Sequence, residues 1–231
     1  MRMRKKKNLE PRMERCANIW VKEPRNQRGI WKDRMPATGA IHLELGCGKG
    51  RFTCEMAAKH PEVLFIAVER VPDAMVIAME RASEMNLDNV LFIDGDAALL
   101  SEYFEPDEVQ QIYINFCDPW PGKKHGKRRL THEDFLRSYR QVLAPEGEIH
   151  FKTDNQELFE FSLFQFPKAG FTLQQVTRNL HADDIMGVMT DYEEKFHLAG
   201  MPICRCVGIK DVLPTSADAP KSATVEESGD G

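Results

Sequence analysis

Short apolar segments alternate with helix-like segments along most of this chain, and this alternation restricts its fold more than any other feature. Seven segments have the length and apolar character of strands: residues 41–45, 64–69, 90–93, 111–116, 147–152, 171–177 and 203–209. Helical periodicity occupies residues 50–60, 73–85, 132–143 and 155–168. Strands separated by helices predict an α/β fold with a mostly parallel, seven-stranded sheet and helices on both faces. Ligands bind such sheets beyond the carboxyl ends of the strands, where strand order reverses.

The two ends of the chain differ from this alternating region. Five of the first seven residues are Lys or Arg, and two tryptophans follow within a proline-punctuated stretch. The last residues are rich in Ser, Ala, Asp and Glu and lack the apolar side chains needed for a core. We therefore predict a basic, partly irregular arm over residues 1–40, one α/β domain over residues 41–210 and a disordered acidic tail over residues 211–231. The basic arm adds nonspecific affinity for a polyanion or is a mobile solubilising tail.

Composition excludes several classes of protein. The 231 residues suit a single domain with a short appendage, and the net charge of −5 says little about partners. Six cysteines without a Cys-x-x-Cys pair or zinc spacing predict reduced thiols in a cytoplasmic protein and no metal site. No apolar run approaches the ~20 residues of a membrane span, and the basic N-terminus lacks the apolar stretch of a secretory signal.

A glycine-rich turn follows the first strand and precedes a helix. Gly46 and Gly48 allow a tight turn and the close approach of a ligand to the backbone, and the helix beginning near Gly50 points its amides at the same place. A plain strand-to-helix turn and a dinucleotide site share this pattern. Glu44 precedes the glycines, where its carboxylate would repel a pyrophosphate but attract a cationic amino or sulfonium group.

Two further acids follow the next two strands. Glu69 ends the second strand, where carboxylates typically accept hydrogen bonds from ribose hydroxyls. Asp96 and Ala97 follow the third strand, where an adenine amino group would lie. With Glu44, this makes three acids at the ends of three consecutive strands, which favours an adenosyl ligand over an ordinary set of turns.

A stiff loop with a cationic continuation follows the fourth strand. Pro119 and Pro121 restrict the backbone, so that Asp118 is held at a fixed place over the strand end. Trp120 could stack on a base, although packing within the loop is an equal alternative. Residues beside the presumed ligand site are candidates for phosphate contacts. These are Lys123, Lys124, His125, Lys127, Arg128 and Arg129.

Two more segments carry polar groups at strand or helix ends. Asp154 follows the fifth strand, where it could accept hydrogen bonds from a guanine edge or cap the next helix. Thr131 is a candidate cap for the helix that starts near His132. Thr190, Asp191, Tyr192 and Glu193 introduce the last segment, and Thr190 with Glu193 also fits a capping box.

Together these strings closely resemble the bacterial tRNA (guanine-N7)-methyltransferase family of class I S-adenosylmethionine-dependent enzymes. The resemblance covers about residues 40–208. Its most specific part is Asp-Pro-Trp-Pro at residues 118–121 with the basic cluster behind it, whereas the glycine turn is common to many proteins. The matching strings are LELGCGKGRF (43–52), AVE (67–69), DPWP (118–121), His125 with KRRLT (127–131), FKTD (151–154) and TDYE (190–193).

The resemblance implies a Rossmann-like methyltransferase domain that binds S-adenosyl-L-methionine and tRNA. A monomer and a homodimer both fit the sequence. The resemblance places Glu44, Glu69, Asp96 and Asp118 against the cofactor and makes Asp118 the catalytic carboxylate. It further assigns Asp154 and residues 190–193 to the target nucleoside and residues 124–129 to RNA. This chain departs from the family at Gly122, where a lysine is common, and Lys123 could supply that charge from the next position.

Competing functions make different use of the same motifs. A methyltransferase for a small molecule or a protein would keep the cofactor residues but would not need the basic loop. An RNA-binding module with this fold would not need the acids Glu44, Glu69, Asp96 and Asp118. A nicotinamide enzyme fits least well, because Glu44 precedes the glycines. The target nucleotide, a guanine of the variable loop, comes from the resemblance alone.

Overall fold

One sheet organises the chain in a computed structural model that describes residues 6–34, 39–182 and 187–211. Its strands are β1 (Trp20–Val21), β2 (Ala40–Leu45), β3 (Val63–Glu69), β4 (Val90–Asp94), β5 (Val109–Asn115), β6 (Leu143–Thr153), β7 (Phe171–Thr177) and β8 (Cys204–Lys210). Their spatial order is β1-β4-β3-β2-β5-β6-β8-β7. The pairs from β1 to β6 are parallel, and β8 runs antiparallel to both β6 and β7. The predicted mostly parallel α/β fold is confirmed, with eight strands instead of seven.

Helices cover both faces of this sheet. They are α1 (Leu9–Glu14), α2 (Trp31–Arg34), α3 (Arg51–Lys59), α4 (Pro72–Glu84), α5 (Leu100–Tyr103), α6 (Glu133–Val142), α7 (Gln156–Lys168) and α8 (Asp191–Leu198). Every residue of β3 is buried, and successive side chains point to opposite faces. Leu64 and Ile66 join one core with residues of α6 and α7, whereas Phe65 and Ala67 join a second core with residues of α3 and α4. This central parallel strand is therefore a continuous apolar run up to Glu69 at its end, without polar and apolar residues alternating.

The basic arm contributes to the core through the residues that the structure describes. β1 extends the sheet beside β4, with Trp20 opposite Phe92. Trp31 is fully buried, and its indole Nε1 donates to the carbonyl of Tyr103 at 2.8 Å. The eighth strand thus comes from the arm. The acidic tail predicted for residues 211–231 lies, apart from Asp211, outside the described residues.

The start of α6 differs from the sequence-based expectation. α6 begins at Glu133, and its cap is His132, whose Nδ1 accepts from the backbone N–H of Asp134 at 3.2 Å. The predicted cap, Thr131, is instead buried and shares a 2.6 Å hydrogen bond with the hydroxyl of Ser162. The prediction of Thr131 as the cap is therefore wrong, and its hydroxyl instead links the turn before α6 to α7.

Strand order reverses between β2 and β5, which brings the carboxyl ends of these two strands together. α3 begins beside this point and packs against α4. Gly50 has a φ of +74°, and a Cβ there would lie 2.4 Å from the Cβ of Ala78. A glycine at position 50 therefore permits both the turn and the close packing of α3 on α4. Among the described residues, no helix is long and apolar enough to cross a membrane.

Candidate active site

A cavity of about 290 Å³ lies at the point where strand order reverses. Its walls include Glu44 at the end of β2, the glycine turn at residues 46–50, Asn115 and Phe116 at the end of β5, and residues 190–192 at the start of α8. The structure thus brings Glu44, Gly46 and Gly48 into one cavity with the segment predicted to hold the target nucleoside.

A larger depression of about 390 Å³ lies at the amino ends of the parallel strands, far from these motifs. Its cations already have partners. The ammonium of Lys210 donates to Asp107 Oδ1 at 2.8 Å, and the guanidinium of Arg140 donates to the carbonyl of Gly170. The cavity at the carboxyl ends is therefore the better candidate, despite its smaller volume.

Glu44 is held in the floor of this cavity by two donors. Its side chain is buried, and it accepts hydrogen bonds from the hydroxyl of Thr53 and from Asn115 Nδ2, the latter at 2.9 Å. Burial raises the pKa of Glu44, while these two hydrogen bonds and the charge of Lys152 oppose that rise. The carboxylate is thus fixed in orientation before any ligand arrives.

Glu69 fixes the glycine turn. Its two carboxylate oxygens accept from the backbone N–H groups of Gly48 and Val71, each at 2.9 Å. Gly46 and Gly48 have φ values of +80° and +56°, which favour glycine. Each carboxylate oxygen can accept more than one hydrogen bond, so Glu69 retains capacity for a ligand hydroxyl.

Asp96 and Ala97 follow β4, outside the set of residues that line this cavity. Asp96 Oδ1 accepts from the N–H of Ala98 at 3.0 Å, and its Oδ2 lies 3.5 Å from Arg70 Nε. Asp96 therefore caps a short 3₁₀ turn and stands beside an exposed arginine, and Ala97 packs inward behind it.

Asp118 is exposed in a loop that continues β5, which we define as residues 116–122 and call the Asp118 loop. It is not among the described residues that line the cavity, although Phe116 of the same loop is. Among the described side chains, its carboxylate has no hydrogen-bonding or ion-pair partner. Burial raises the pKa of the neighbouring Cys117 thiol to about 12, which leaves that thiol protonated and unreactive at neutral pH.

The predicted RNA-contacting residues beyond this loop fall into two groups. Lys124, Lys127 and Arg128 are exposed, and the Arg128 guanidinium lies 4.9 Å from the centre of the Trp120 ring. His125 is half-buried, also beside Trp120. Arg129 belongs to the other group, because it is buried and points into the protein. The side chain of Lys123 lies outside the described part of the chain.

The substrate segment predicted at residues 190–193 begins α8. Thr190 is its cap, and its Oγ1 accepts from the N–H of Glu193 at 2.9 Å. Asp191 and Tyr192 are exposed at the cavity, whereas the side chain of Glu193 is 2% exposed and turned away from it. The predicted capping by Thr190 is confirmed, and Glu193 takes a different position from its neighbours.

Asp154 is half-buried after β6, and it does not cap α7. That position belongs to Asn155, whose Oδ1 accepts from the N–H of Leu158 at 2.8 Å. The capping alternative for Asp154 is therefore wrong, and its carboxylate is left for another role.

Residues 38–206 match a protein-family model described as "Putative methyltransferase". A protein of Lactococcus lactis subsp. cremoris named tRNA (guanine-N(7)-)-methyltransferase is 44% identical over 208 residues, which cover 89% of this chain and 96% of that protein. A protein of Geobacillus thermodenitrificans with the same name is 42% identical over 211 residues, covering 91% and 98%.

The chain belongs to the tRNA (guanine-N7)-methyltransferase family. Its membership confirms the predicted enzyme class and the methyltransferase fold. Among solved structures, the 16S rRNA methyltransferase KamB has a TM-score of 0.61 at 15% identity, covering 79% of this chain and 93% of that chain. A 16S rRNA (adenine(1408)-N(1))-methyltransferase from Catenulisporales acidiphilia, solved with SAM, has a TM-score of 0.60 at 13% identity, covering 84% and 94%. At such identities the structural likeness supports the fold alone.

Two site residues of this methyltransferase were missed by the motif analysis. Asn115, the last residue of β5, donates to Glu44, and Lys152 near the end of β6 donates to Glu193 Oε2 at 2.6 Å. Lys152 lies within the matching string at residues 151–154, and Asn115 lies three residues before the string at residues 118–121. The available signal was a lysine next to Phe151 in a strand predicted to lie inside the sheet, because buried ammonium groups almost always have an acidic partner.

The Lys152–Glu193 pair joins α8 to the sheet. The side chains are 10% and 2% exposed, and the Lys152 ammonium also donates to the carbonyl of Val188 at 3.2 Å. His181 Nε2 lies 3.4 Å from the other Glu193 oxygen, and burial lowers the pKa of His181. In this methyltransferase, the pair thus connects β6 to the helix whose first turn forms the cavity wall at residues 190–192. Within the described residues, no group of three or more His, Cys, Asp or Glu side chains could hold a metal ion.

Proposed function

We propose that this chain transfers a methyl group from S-adenosyl-L-methionine to N7 of the variable-loop guanine of tRNA, in the cytoplasm. One observation carries the proposal: a cavity with a fixed buried acid, Glu44, stands beside a loop that presents Asp118 and leads into exposed cations. The family relationship supports the same activity. The variable-loop target and the roles of individual residues belong to the proposal.

The cavity residues fit S-adenosylmethionine. Asn115 Oδ1 is buried without a hydrogen-bond partner among the described residues, so the cavity wall holds an acceptor that a cationic amino group can satisfy. Glu44 adds a negative charge beside it. Glu69, which does not line the cavity but holds the glycine turn that does, has lone pairs left for ribose hydroxyls. We assign Glu44, Gly46, Gly48, Glu69, Asp96, Ala97 and Asp118 to the cofactor.

When bound, S-adenosylmethionine supplies an electrophilic methyl group on a sulfonium. Guanine N7 has an exposed lone pair and carries no proton, so the protein needs no general base. As N7 forms its new bond, positive charge develops on the purine ring. A carboxylate near that ring stabilises this charge, and Asp118 is the exposed acid that its loop presents at the end of β5. Asp118 is accordingly the proposed catalytic residue.

Two segments hold the target nucleoside, one at the end of β6 and the other at the start of α8. Asp154 at the end of β6 accepts hydrogen bonds from the N1–H and N2–H donors of guanine. Thr190, Asp191 and Tyr192 line the cavity directly, and Glu193 acts through its bond to Lys152. We assign phosphate contacts to Lys123, Lys124, His125, Lys127 and Arg128.

The activity is tested by methylation of an unmodified tRNA transcript with labelled cofactor, followed by nuclease digestion and mass spectrometry of the nucleosides. We expect 7-methylguanosine, and none when the variable-loop guanosine is replaced by 7-deazaguanosine, which lacks the N7 lone pair. Label in another nucleoside would contradict the proposal. Cofactor binding without methyl transfer would favour the alternative of a noncatalytic RNA-binding module.

We expect the double variant Lys127→Ala/Arg128→Ala to raise KM for tRNA and to flatten the salt dependence of binding. Binding weakens as salt rises, and each lost phosphate contact reduces the steepness of log K against log salt by about 0.7–0.9. The measurement is tRNA affinity at several salt concentrations. Lys59→Ala/Lys168→Ala removes two exposed cations at the far ends of α3 and α7 and should leave the slope unchanged. Equal slopes for the two double variants would refute the phosphate assignment.

A further inference from the structure

Arg129 differs from the cations before it because its charge is hidden from solvent. Its side chain is 5% exposed, whereas Lys127 and Arg128 are exposed. The guanidinium lies 4.4 Å from the centre of the Phe161 ring on α7. A phosphate could approach this group only if the surrounding loop opened, so the predicted phosphate contact of Arg129 does not fit this geometry.

The hydrogen bonds of Arg129 run back to the Asp118 loop. Nε donates to the carbonyl of Pro119 at 2.9 Å, and Nη2 donates to the carbonyl of Trp120 at 3.3 Å. Nη2 also lies 3.3 Å from Oε1 of Glu157, whose side chain is 74% exposed. One planar guanidinium thus joins two successive carbonyls of the loop to α7.

The backbone that these bonds hold is strained. Phe116 and Trp120 have φ values of +51° and +41°, in the left-handed region that L-residues with bulky side chains rarely adopt. Such conformations persist only where the surroundings fix them. Asp118 lies between these two residues, and the N–H of Phe116 is itself tied to the carbonyl of Lys152 at 2.9 Å. The carbonyl of Trp120 is anchored by Arg129, so the loop is fastened on both sides of Asp118.

We propose that Arg129 is a positioning residue that holds Asp118 in place for the reaction and makes no contact with tRNA phosphate. This inference rests on the proposed function, since it concerns the same carboxylate. Arg129 acts through the backbone of Pro119 and Trp120 and touches neither substrate nor cofactor. The basic run therefore divides into outward cations that bind RNA and an inward arginine that orders the loop.

Comparison of Arg129→Met with Arg128→Met tests the proposal, because the two variants lose the same charge at adjacent positions. We expect Arg129→Met to lower kcat at least ten-fold with little change in KM for tRNA and no change in the salt slope of binding. Arg128→Met should raise KM and flatten the slope with little change in kcat. A slope that falls equally in both variants would overturn the proposal.

Arg129→Lys gives a second test, which remains informative if the methionine variant is unstable. Lysine binds phosphate as a point charge, but it cannot reproduce the planar fork that reaches two carbonyls and stacks on Phe161. We expect kcat of Arg129→Lys to stay well below wild type. Recovery to the wild-type rate would support a phosphate contact and refute positioning.

Amide hydrogen exchange separates this inference from the catalytic role of Asp118. In Arg129→Lys, exchange should accelerate in peptides that cover residues 116–122 and remain unchanged in peptides from β2 and β3. Unchanged exchange in the loop would overturn the positioning role, whatever the activity. If the loop loosens but Asp118→Asn retains full turnover, positioning by Arg129 stands and the catalytic assignment of Asp118 fails.

Discussion

Replacing Asp118 with asparagine lowers kcat for tRNA methylation by about 10²–10³-fold, the usual cost of removing one electrostatic group that acts on the transition state. Asparagine keeps the shape and removes the charge that stabilises the developing positive charge on the purine. Because Asp118 is exposed, without a partner among the described side chains, the fold should be unaffected. The measurement is single-turnover methylation at saturating tRNA and cofactor.

Asp88→Asn is the matched control. Asp88 is exposed in the turn before β4, at the amino ends of the strands and therefore away from the cavity. Its replacement removes the same charge. It should methylate at the wild-type rate. Asp118→Ala should resemble Asp118→Asn and still bind tRNA. Turnover of Asp118→Asn within a factor of two of wild type would show that this carboxylate has no role in the transfer step.

Much of the fold could be predicted because parallel strands are buried on both faces and therefore appear as apolar runs. β3 is the clearest case, since all seven of its residues are buried. β1 could not be predicted, because two residues are too few to show a period and Trp20–Val21 pairs only through its contact with β4. Its existence depends on the docking of the arm, which is a tertiary effect.

The sequence predicts the parts of the candidate site whose place depends on the course of the backbone alone. Gly46, Gly48 and Glu44 occur at a strand end, and topology alone brings strand ends to one edge. Three other predicted acids also stand at strand ends, but the structure leaves them outside the cavity wall formed by the described residues: Glu69, Asp96 and Asp118. A residue that follows a strand in sequence must lie near the carboxyl end of that strand, but its side chain can still point in any direction.

Side-chain direction is also the reason that Arg129 and Glu193 differ from expectation. In a run of cations, the sequence gives no sign that Arg129 turns inward, because Phe161 and Glu157 are some thirty residues away. Glu193 fits a capping box, in which its side chain would return to the N–H of Thr190. It bonds to Lys152 instead, because that buried ammonium requires an acidic partner.

The buried ion pair leads to the prediction with the largest effect on stability. We expect Lys152→Met to lower the free energy of unfolding by about 3–5 kcal/mol, the usual cost of breaking a buried pair by removing one partner. The methionine fills the volume of the lysine stem but leaves the Glu193 carboxylate buried without its ammonium partner. Denaturant unfolding followed by circular dichroism measures the loss.

The double variant Lys152→Met/Glu193→Leu should be more stable than Lys152→Met alone, because it removes the unpaired charge together with its partner. Both variants should show a raised KM for tRNA, since the Lys152–Glu193 bond holds residues 190–192, the proposed contacts to the target nucleoside, against the cavity. A double variant no more stable than the single one would mean that the buried carboxylate is not the source of the loss. Stability near wild type in Lys152→Met would show that solvent reaches the pair and that α8 is held by its other contacts.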